Sequence, residues 1–435
     1  MTEPPQKRRK TSPPPAPAQQ TDDEEVQSTD FKLAVLASLH PDRSQDVLLD
    51  YLLAYDGVVG DVTNALSSTS TQANTGQKRA IGYQSSLSAF AIGNKAASDV
   101  ATAPKSLTKK GRTLHLYSPD DVEAHTPCSI IHNFLSPEDA DVLLQELLAE
   151  AGTFRRDEFQ MFDRTVQSPH TSKFYVDTWE EQQDQKTEYM YNGGAVQDVG
   201  KTPPELLRVS HIVRKTVNAE IQRRMERHVD SKKLKFQSPD EWKPNVTFVN
   251  CYAGGNESVG WHSDHLTYLG PRAVIGSLSL GVAREFRVRK IVPQVDDSSA
   301  DEQGQIAIHL PHNSLLVMHA EMQEEWKHSI APAKSIDPHP VAGNRRLNVT
   351  YRCYRDYLHP HRTPRCKCGV PAVLRCVQKR AVTRGRYMWM CHAGFSVGQK
   401  SCAYYAWADF DEDGRPPWAE GYKGNANLPA VETAP

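Results

Sequence analysis

Arg346-Leu347-Asn348-Val349-Thr350-Tyr351-Arg352 is the stretch whose reading decides the fold. Side chains alternate between the two faces of a strand. As a strand, this stretch puts Arg346, Asn348, Thr350 and Arg352 on one face and Leu347, Val349 and Tyr351 on the other. Two arginines and an asparagine on an inward face are costly unless an anion meets them. A dicarboxylate suits two guanidinium forks. Upstream, Trp261-His262-Ser263-Asp264 supplies an H-x-D pair, and Trp326-Lys327-His328-Ser329 supplies a second, isolated histidine. Two imidazoles and a carboxylate on one face of Fe(II) leave three coordination positions open. A 2-oxo acid can take two of them and dioxygen the third. His265, His309, His312 and His319 are rival imidazoles. In the run Val246–Tyr252, Asn250 and Tyr252 share a face with Val246 and Phe248 and offer an amide and a phenol to a bound acid.

The surrounding pattern is α+β. Ser136-Pro137-Glu138-Asp139 caps a helix with proline at its first position, and that helix is expected to bury Val142, Leu143, Leu147 and Leu148. Thr202-Pro203 starts a second helix with Leu206, Val209, Val213, Val217 and Ile221 on one stripe. Strands are predicted at Val246–Tyr252, Val274–Leu280, Glu285–Val292, Gln305–Leu310, Ser314–Met318 and Arg346–Cys353. Many short strands after two helices suggest a sandwich or barrel with helical support. Residues 294–305 and 333–343 read as surface insertions.

In this order and spacing, these motifs resemble the AlkB-type Fe(II)/2-oxoglutarate dioxygenases, over roughly residues 127–355. The resemblance implies a double-stranded β-helix (jelly-roll) core spanning residues 114–358. It makes His262, Asp264 and His328 the iron ligands. It assigns Arg346 to the distal carboxylate of 2-oxoglutarate and Arg352 to the end near the metal, helped by Asn250, Tyr252 and Asn348. The implied chemistry is oxidative demethylation of N1-methyladenine- or N3-methylcytosine-type bases in DNA, with release of formaldehyde, succinate and CO2. The alternatives are an RNA demethylase of the same chemistry and a non-catalytic ubiquitin- and DNA-binding adaptor. Phe159, Met161 and Phe162 beside Arg155, Arg156 and Arg164 read as an apolar wedge between phosphate-binding arginines. Ser168-Pro169-His170 resembles a base-covering segment of the family, which puts His170 among the substrate contacts.

A second metal is read near the C-terminus. Cys366, Cys368, Cys391 and Cys402 suit tetrahedral zinc, with Cys376 and His392 as rivals. With Gly385-Arg386 and Cys402-Ala403-Tyr404-Tyr405-Ala406-Trp407, residues 363–411 resemble a GRF-type zinc finger with a ribbon-like fold. Basic residues interleaved with Tyr405 and Trp407 suit single-stranded nucleic acid. No iron or co-substrate residue lies in this span, so the finger is expected to be an independent module. Residues 412–435 are expected to be a disordered tail.

Residues 1–29 are rich in proline and charge, and disorder is expected there. Within them, Lys7-Arg8-Arg9-Lys10 reads as a nuclear import signal. Phe31, Val35, Leu36, Leu39, Val47, Leu48, Leu52, Leu53, Val62 and Leu66 fall at helical spacing, Ser44 is a candidate cap, and Gly57 closes the second helix. Residues 30–67 resemble a CUE domain, a three-helix ubiquitin-binding bundle. Residues 68–113 read as a linker, and Gln84 to Ala91 resembles the box that docks on the PCNA sliding clamp. The start of the chain does not read as a signal peptide. No run reaches the roughly 20 apolar residues of a membrane helix. The cysteine distribution suits a reducing compartment. Together these point to a nuclear protein with no membrane partner.

Overall fold

The computed structural model describes residues 32–33, 35–36, 39–40, 48, 51–52, 58–70, 112–161, 164–191, 198–227, 232–292, 304–395 and 399–424. The chain divides into two compact units, Met1–Leu66 and Ser67–Pro435. In the first, Leu33, Leu36, Leu48, Leu52, Val62 and Leu66 bury together, and the helix Val59–Ser70 supplies the last two. Leu39, placed on the same stripe by its spacing, is 52% exposed instead. Phe31, Ser44, Val47, Leu53, Gly57, the basic run 7–10 and the segment 84–91 lie outside the described residues. No described helix is long and apolar enough to cross a membrane.

The second unit is built on two facing sheets. Among the described residues, the larger has the order β2 (Cys128–Ile131), β12 (Ser314–Met318), β9 (Ile275–Gly281), β14 (Arg345–Arg352), β7 (Val246–Ala253), β5 (Thr171–Val176) and β6 (Val199–Lys201). The smaller has the order β1 (Thr113–Leu116), β11 (Gln305–Leu310), β10 (Arg284–Lys290), β13 (Trp326–Ile330) and β8 (Val259–His262). The chain alternates between them: β8, β10, β11 and β13 belong to the smaller sheet, and β9, β12 and β14 to the larger. This alternation fits a jelly-roll core. The crossing from β9 to β10 turns at Gly281, with φ +86 and an ideal Cβ only 2.3 Å from the Arg345 carbonyl oxygen. Only glycine fits there without strain.

Two apolar layers hold the unit together. Leu347, Val349 and Tyr351 of β14 pack beneath the helices Pro137–Glu150 and Pro204–Arg227. Leu206, Val209, Val213 and Val217 supply the second helix's contribution, as the stripe predicts. Ser136 caps the first helix by accepting the Asp139 N–H at 3.1 Å. One position on that helix differs from expectation: Val142 is 43% exposed, and Leu144 is buried in its place. The buried arc runs through Ala140, Leu143, Leu144 and Leu147, so Val142 lies just outside it.

The C-terminal sheet β15 (Val373–Cys376), β16 (Tyr387–Met390) and β17 (Tyr405–Trp407) is not the independent module its sequence suggests. Leu374, Tyr387 and Trp389 are buried in the same cluster as Leu266, Met322 and Ile330 of the dioxygenase-like core. The segment 412–424 is also folded, which corrects its reading as a disordered tail. The buried Asp411 carboxylate accepts N–H bonds from Asp413, Arg415 and Lys423, each at 2.9 Å. Local side chain-to-backbone bonds of this kind order a Gly- and Pro-rich stretch that composition alone does not.

The helix correction is testable. Leu144→Ala should cost about 2–5 kcal/mol in urea unfolding through the cavity it leaves, while Val142→Ala should stay within about 0.5 kcal/mol.

Candidate active site

Pairing of β13 with β8 sets His328 directly opposite His262. Their ring centroids are 4.2 Å apart. The segment after β8 then returns Asp264 to the same place. Its Oδ1 lies 3.6 Å from His262 Nε2 and 3.4 Å from His328 Nε2. His262 Nδ1 is 2.8 Å from the Gly260 carbonyl. That oxygen can only accept, so Nδ1 carries the proton and Nε2 keeps its lone pair for a ligand. Phe286 stacks on His328, with centroids 5.2 Å apart.

The other carboxylate oxygen is held by Arg352, whose Nη2 and Nε donate to Asp264 Oδ2 at 2.7 and 3.2 Å. Burial works against ionisation, but Arg352, then His328 and His262, hold this carboxyl well below its ordinary range. Two imidazole nitrogens and one ionised carboxylate oxygen around one point form the donor set that suits Fe(II). Among the described residues, His262, Asp264 and His328 form such a group. The rivals are placed elsewhere. His319 bonds Ser129 at 3.1 Å, His312 accepts from the Gly281 N–H at 3.1 Å, His309 sits 3.0 Å from His115, and His265 is exposed.

On the facing sheet, β14 and β7 place Arg346 opposite Tyr252, and Asn348 opposite Asn250. Arg346 is fully buried. Its recorded partners are neutral: Nε donates to Ser279 Oγ at 2.9 Å and Nη2 to Asn348 Oδ1 at 2.6 Å. Its buried Nη1 has no hydrogen-bond partner among the described residues. Burial lowers its pKa to about 10. A second buried arginine, Arg284, also lies close to Tyr252. The guanidinium carbons of Arg346 and Arg284 are 5.4 and 5.8 Å from that ring's centroid. Arg284 donates to the carbonyls of Gly254, Glu257 and Ala331 at 3.0, 2.6 and 2.7 Å. Two buried guanidinium groups with an unpaired N–H fit the carboxylate of a 2-oxo diacid.

Arg352 and Arg346 therefore occupy the predicted face, but Arg352 is engaged by the ligand carboxylate. His170, read from the sequence as a substrate contact, sits beside β7. It is 6% exposed, stacks on Tyr252 at 4.7 Å and lies 3.1 Å from Asn250 Oδ1. It packs against the β7 residues that pair with Arg346 and Asn348. Arg284, Ser277 and Ser279 were not singled out from the sequence. Only the two serines had a local signal, as small polar residues alternating with apolar ones on β9. The strands Glu158–Met161 and Arg164–Gln167 form the hairpin β3–β4, with Phe159 opposite Val166 and Met161 opposite Arg164. Phe162 lies outside the described residues.

The sulfurs of Cys366, Cys368, Cys391 and Cys402 all lie within 4.8 Å of one another. The N–H groups of Ala393 and Cys402 point at Cys391 Sγ, at 3.4 and 3.3 Å. Four sulfurs gathered this closely suit a soft cation. Cys376 is outside the cluster and bonds the Val377 carbonyl at 3.7 Å. Nearby, Tyr405 and Trp407 are 49% and 41% exposed, and the Arg386 guanidinium carbon stacks 3.8 Å from the Trp407 centroid.

Comparison with known proteins agrees with this geometry. The alpha-ketoglutarate-dependent dioxygenase alkB homolog 3 of Bos taurus is 34% identical over 108 residues, covering 25% of this chain and 36% of that protein. The DNA oxidative demethylase ALKBH2 of Arabidopsis thaliana is 31% identical over 124 residues, covering 25% of this chain and 37% of that protein. The chain thus spans little more than a third of the length of these relatives. A solved structure of OsALKBH1 covers 52% of this chain and 98% of its own at 18% identity and a TM-score of 0.33. The family profile of the 2OG-Fe(II) oxygenase superfamily matches residues 127–352, over half of the chain. With the two imidazoles, the ionised carboxylate and the buried arginines in place across that span, the chain belongs to the 2OG-Fe(II) oxygenase superfamily.

Proposed function

We propose that the chain is an AlkB-type dioxygenase that removes N-linked methyl groups from bases of the N1-methyladenine and N3-methylcytosine type in DNA. The carrying observation is the pairing of the His262–Asp264–His328 donor set with Arg346, buried opposite it with Nη1 unpaired. The nucleic-acid substrate follows from the likeness to the relatives named for DNA demethylation.

His262, Asp264 and His328 would hold Fe(II), and Arg346 with Arg284, Tyr252, Asn250 and Asn348 would hold 2-oxoglutarate. With both bound, O2 and 2-oxoglutarate would supply the oxidising power for hydroxylation of the methyl carbon, with succinate and CO2 as the other products. The chain's own residues bind, orient and keep water out. Arg352 keeps Asp264 ionised and turns Oδ1 towards the imidazoles. The Gly260 carbonyl fixes the His262 tautomer. Phe286 limits rotation of His328. The hydroxymethyl group on nitrogen then leaves as formaldehyde, restoring the pairing edge of the base. A methylated base costs less to extrude from the stack, which helps selection.

Cys366, Cys368, Cys391 and Cys402 hold zinc in a GRF-type finger, and Tyr405, Trp407 and Arg386 present a stacking surface to single-stranded nucleic acid. Residues 30–67 act as a CUE-like ubiquitin-binding bundle, the segment 84–91 docks on PCNA, and the run 7–10 directs nuclear import.

The deciding assay measures succinate and formaldehyde against methylated DNA and RNA oligonucleotides. Release on DNA is expected. Release on RNA alone would make the chain an RNA demethylase, and release on neither would leave the adaptor reading. His262→Ala, Asp264→Ala or His328→Ala should abolish turnover, because each removes a ligand from a three-ligand site. Full turnover in His328→Ala would assign the third ligand elsewhere. Arg346→Met should raise the 2-oxoglutarate requirement by the equivalent of about 2–5 kcal/mol, read as KM for 2-oxoglutarate. An unchanged KM would detach the co-substrate from β14. Tyr405→Ala or Trp407→Ala should weaken single-stranded binding by about 1–3 kcal/mol without unfolding, in a salt-dependent fluorescence-anisotropy titration.

A further inference from the structure

The finger's inner edge reaches the segments that carry the iron ligands. Gln378, two residues past β15, donates through Nε2 to the Gln323 carbonyl at 2.8 Å and to Ser263 Oγ at 3.2 Å. A backbone carbonyl only accepts, which settles the orientation of the Gln378 amide. Ser263 sits between His262 and Asp264, and its hydroxyl donates on to the Trp326 carbonyl at 2.9 Å. Gln323 in turn uses Oε1 to accept the Asp264 N–H at 2.7 Å. One side chain of the C-terminal module thus bonds both ligand-bearing segments, 262–264 and 323–328. It closes a hydrogen-bonded ring through Ser263, Asp264 and Gln323.

The rest of the contact is built to hold that side chain still. Leu374 N–H donates to Thr267 Oγ1 at 3.3 Å, on the same segment as the ligands. Tyr387 OH donates to the buried Glu324 at 2.9 Å, and the Arg272 N–H donates to the same carboxylate oxygen at 2.7 Å. Arg384 donates to the Ile291 carbonyl at 2.9 Å; Ile291 N–H in turn bonds the Glu325 carbonyl at 2.8 Å, and this contact bonds neither Ser263 nor Gln323.

We infer that Gln378 is a positioning residue of the metal centre, setting the spacing of the His262–Asp264 and His328 segments, and that the C-terminal module is structurally part of the oxygenase site. The inference rests on the reading of these three residues as a metal site. Outer-shell partners of metal ligands typically contribute about 10- to 100-fold to metal affinity or activity.

The test is Mn(II) binding to the full chain, followed by loss of the free-ion electron paramagnetic resonance signal. Mn(II) prefers oxygen and nitrogen donors and so reports on the His–Asp site rather than on the thiolates. The wild type should bind in a manner abolished by His262→Ala. If His262→Ala binds as the wild type does, the metal-site reading itself fails. Gln378→Met keeps the volume and removes the donor. It should weaken Mn(II) by about 10- to 100-fold and lower kcat, with KM for 2-oxoglutarate unchanged, because Arg346 is untouched. Ser263→Ala should give a similar loss, and the double variant should lose little more, because both substitutions open the same hydrogen-bonded ring. This second route stands if Gln378→Met does not fold. Arg384→Ala breaks a different module-to-core bond and should leave Mn(II) affinity intact. His262-dependent binding that is equally tight in Gln378→Met and Ser263→Ala would overturn the inference. A loss in Arg384→Ala equal to that in Gln378→Met would also overturn it, by making the effect one of general docking.

Discussion

The bond between Arg352 and Asp264 is the interaction on which the rest of the site depends. It joins the two sheets, since Arg352 ends β14 and Asp264 follows β8. It also decides a charge state. A carboxyl this deeply buried would favour its neutral form, and a neutral carboxyl is a poor ligand. The fork from Arg352 reverses that preference and takes one oxygen, leaving the other for the imidazoles. Breaking a buried pair of this kind typically costs about 3–5 kcal/mol, because the remaining charge is uncompensated. Fold and ligand chemistry therefore rest on the same two side chains.

The polar face of β14 is held against its own preference by the apolar face behind it. Leu347, Val349 and Tyr351 are fully buried beneath two helices, and each such side chain contributes about 1.5–3 kcal/mol of burial. That anchoring keeps Arg346 between the sheets, where Ser279 and Asn348 satisfy it only in part. The pocket wall is thus cationic through Arg284, Arg346 and Arg352 against Asp264. An entering dicarboxylate meets groups already desolvated and aimed, so little reorganisation is needed on binding.

What the sequence made legible is what repeats with a short period. The β14 alternation, the strands Gln305–Leu310 and Ser314–Met318, and the helical stripe from Leu206 to Val217 are local patterns, and all three appear in the structure as read. The three candidate ligand positions were legible through the order and spacing of their motifs, and the structure brings them to one point. What was missed depends on partners far away in the chain. Arg284 looks like one more charge on a charged strand until Tyr252 and the carbonyls of 254, 257 and 331 surround it. The burial of His170 likewise depends on Tyr252 and Asn250, about eighty residues on. The independence of the C-terminal module was inferred from the absence of iron and co-substrate residues in its span. A contrary signal was present: Leu374, Tyr387 and Trp389 alternate with Arg375 and Met388, which is the pattern of a sheet with one covered face.

That covered face changes what the module can do for the enzyme. A finger on a flexible tether would raise the local concentration of nucleic acid over a range of distances. Here the connection is braced on both sides. Trp418 donates to the Tyr357 carbonyl at 2.7 Å, and Lys233 pairs with Asp413 at 3.2 Å. With β15 and β16 packed on the core, Tyr405 and Trp407 stand at a fixed offset from His262 and Asp264. On the proposed reading, a strand stacked on those rings reaches the metal centre with a definite number of intervening nucleotides. Strands too short to bridge that offset gain nothing from the finger, because a rigid second contact contributes only when the geometry allows both to be made at once.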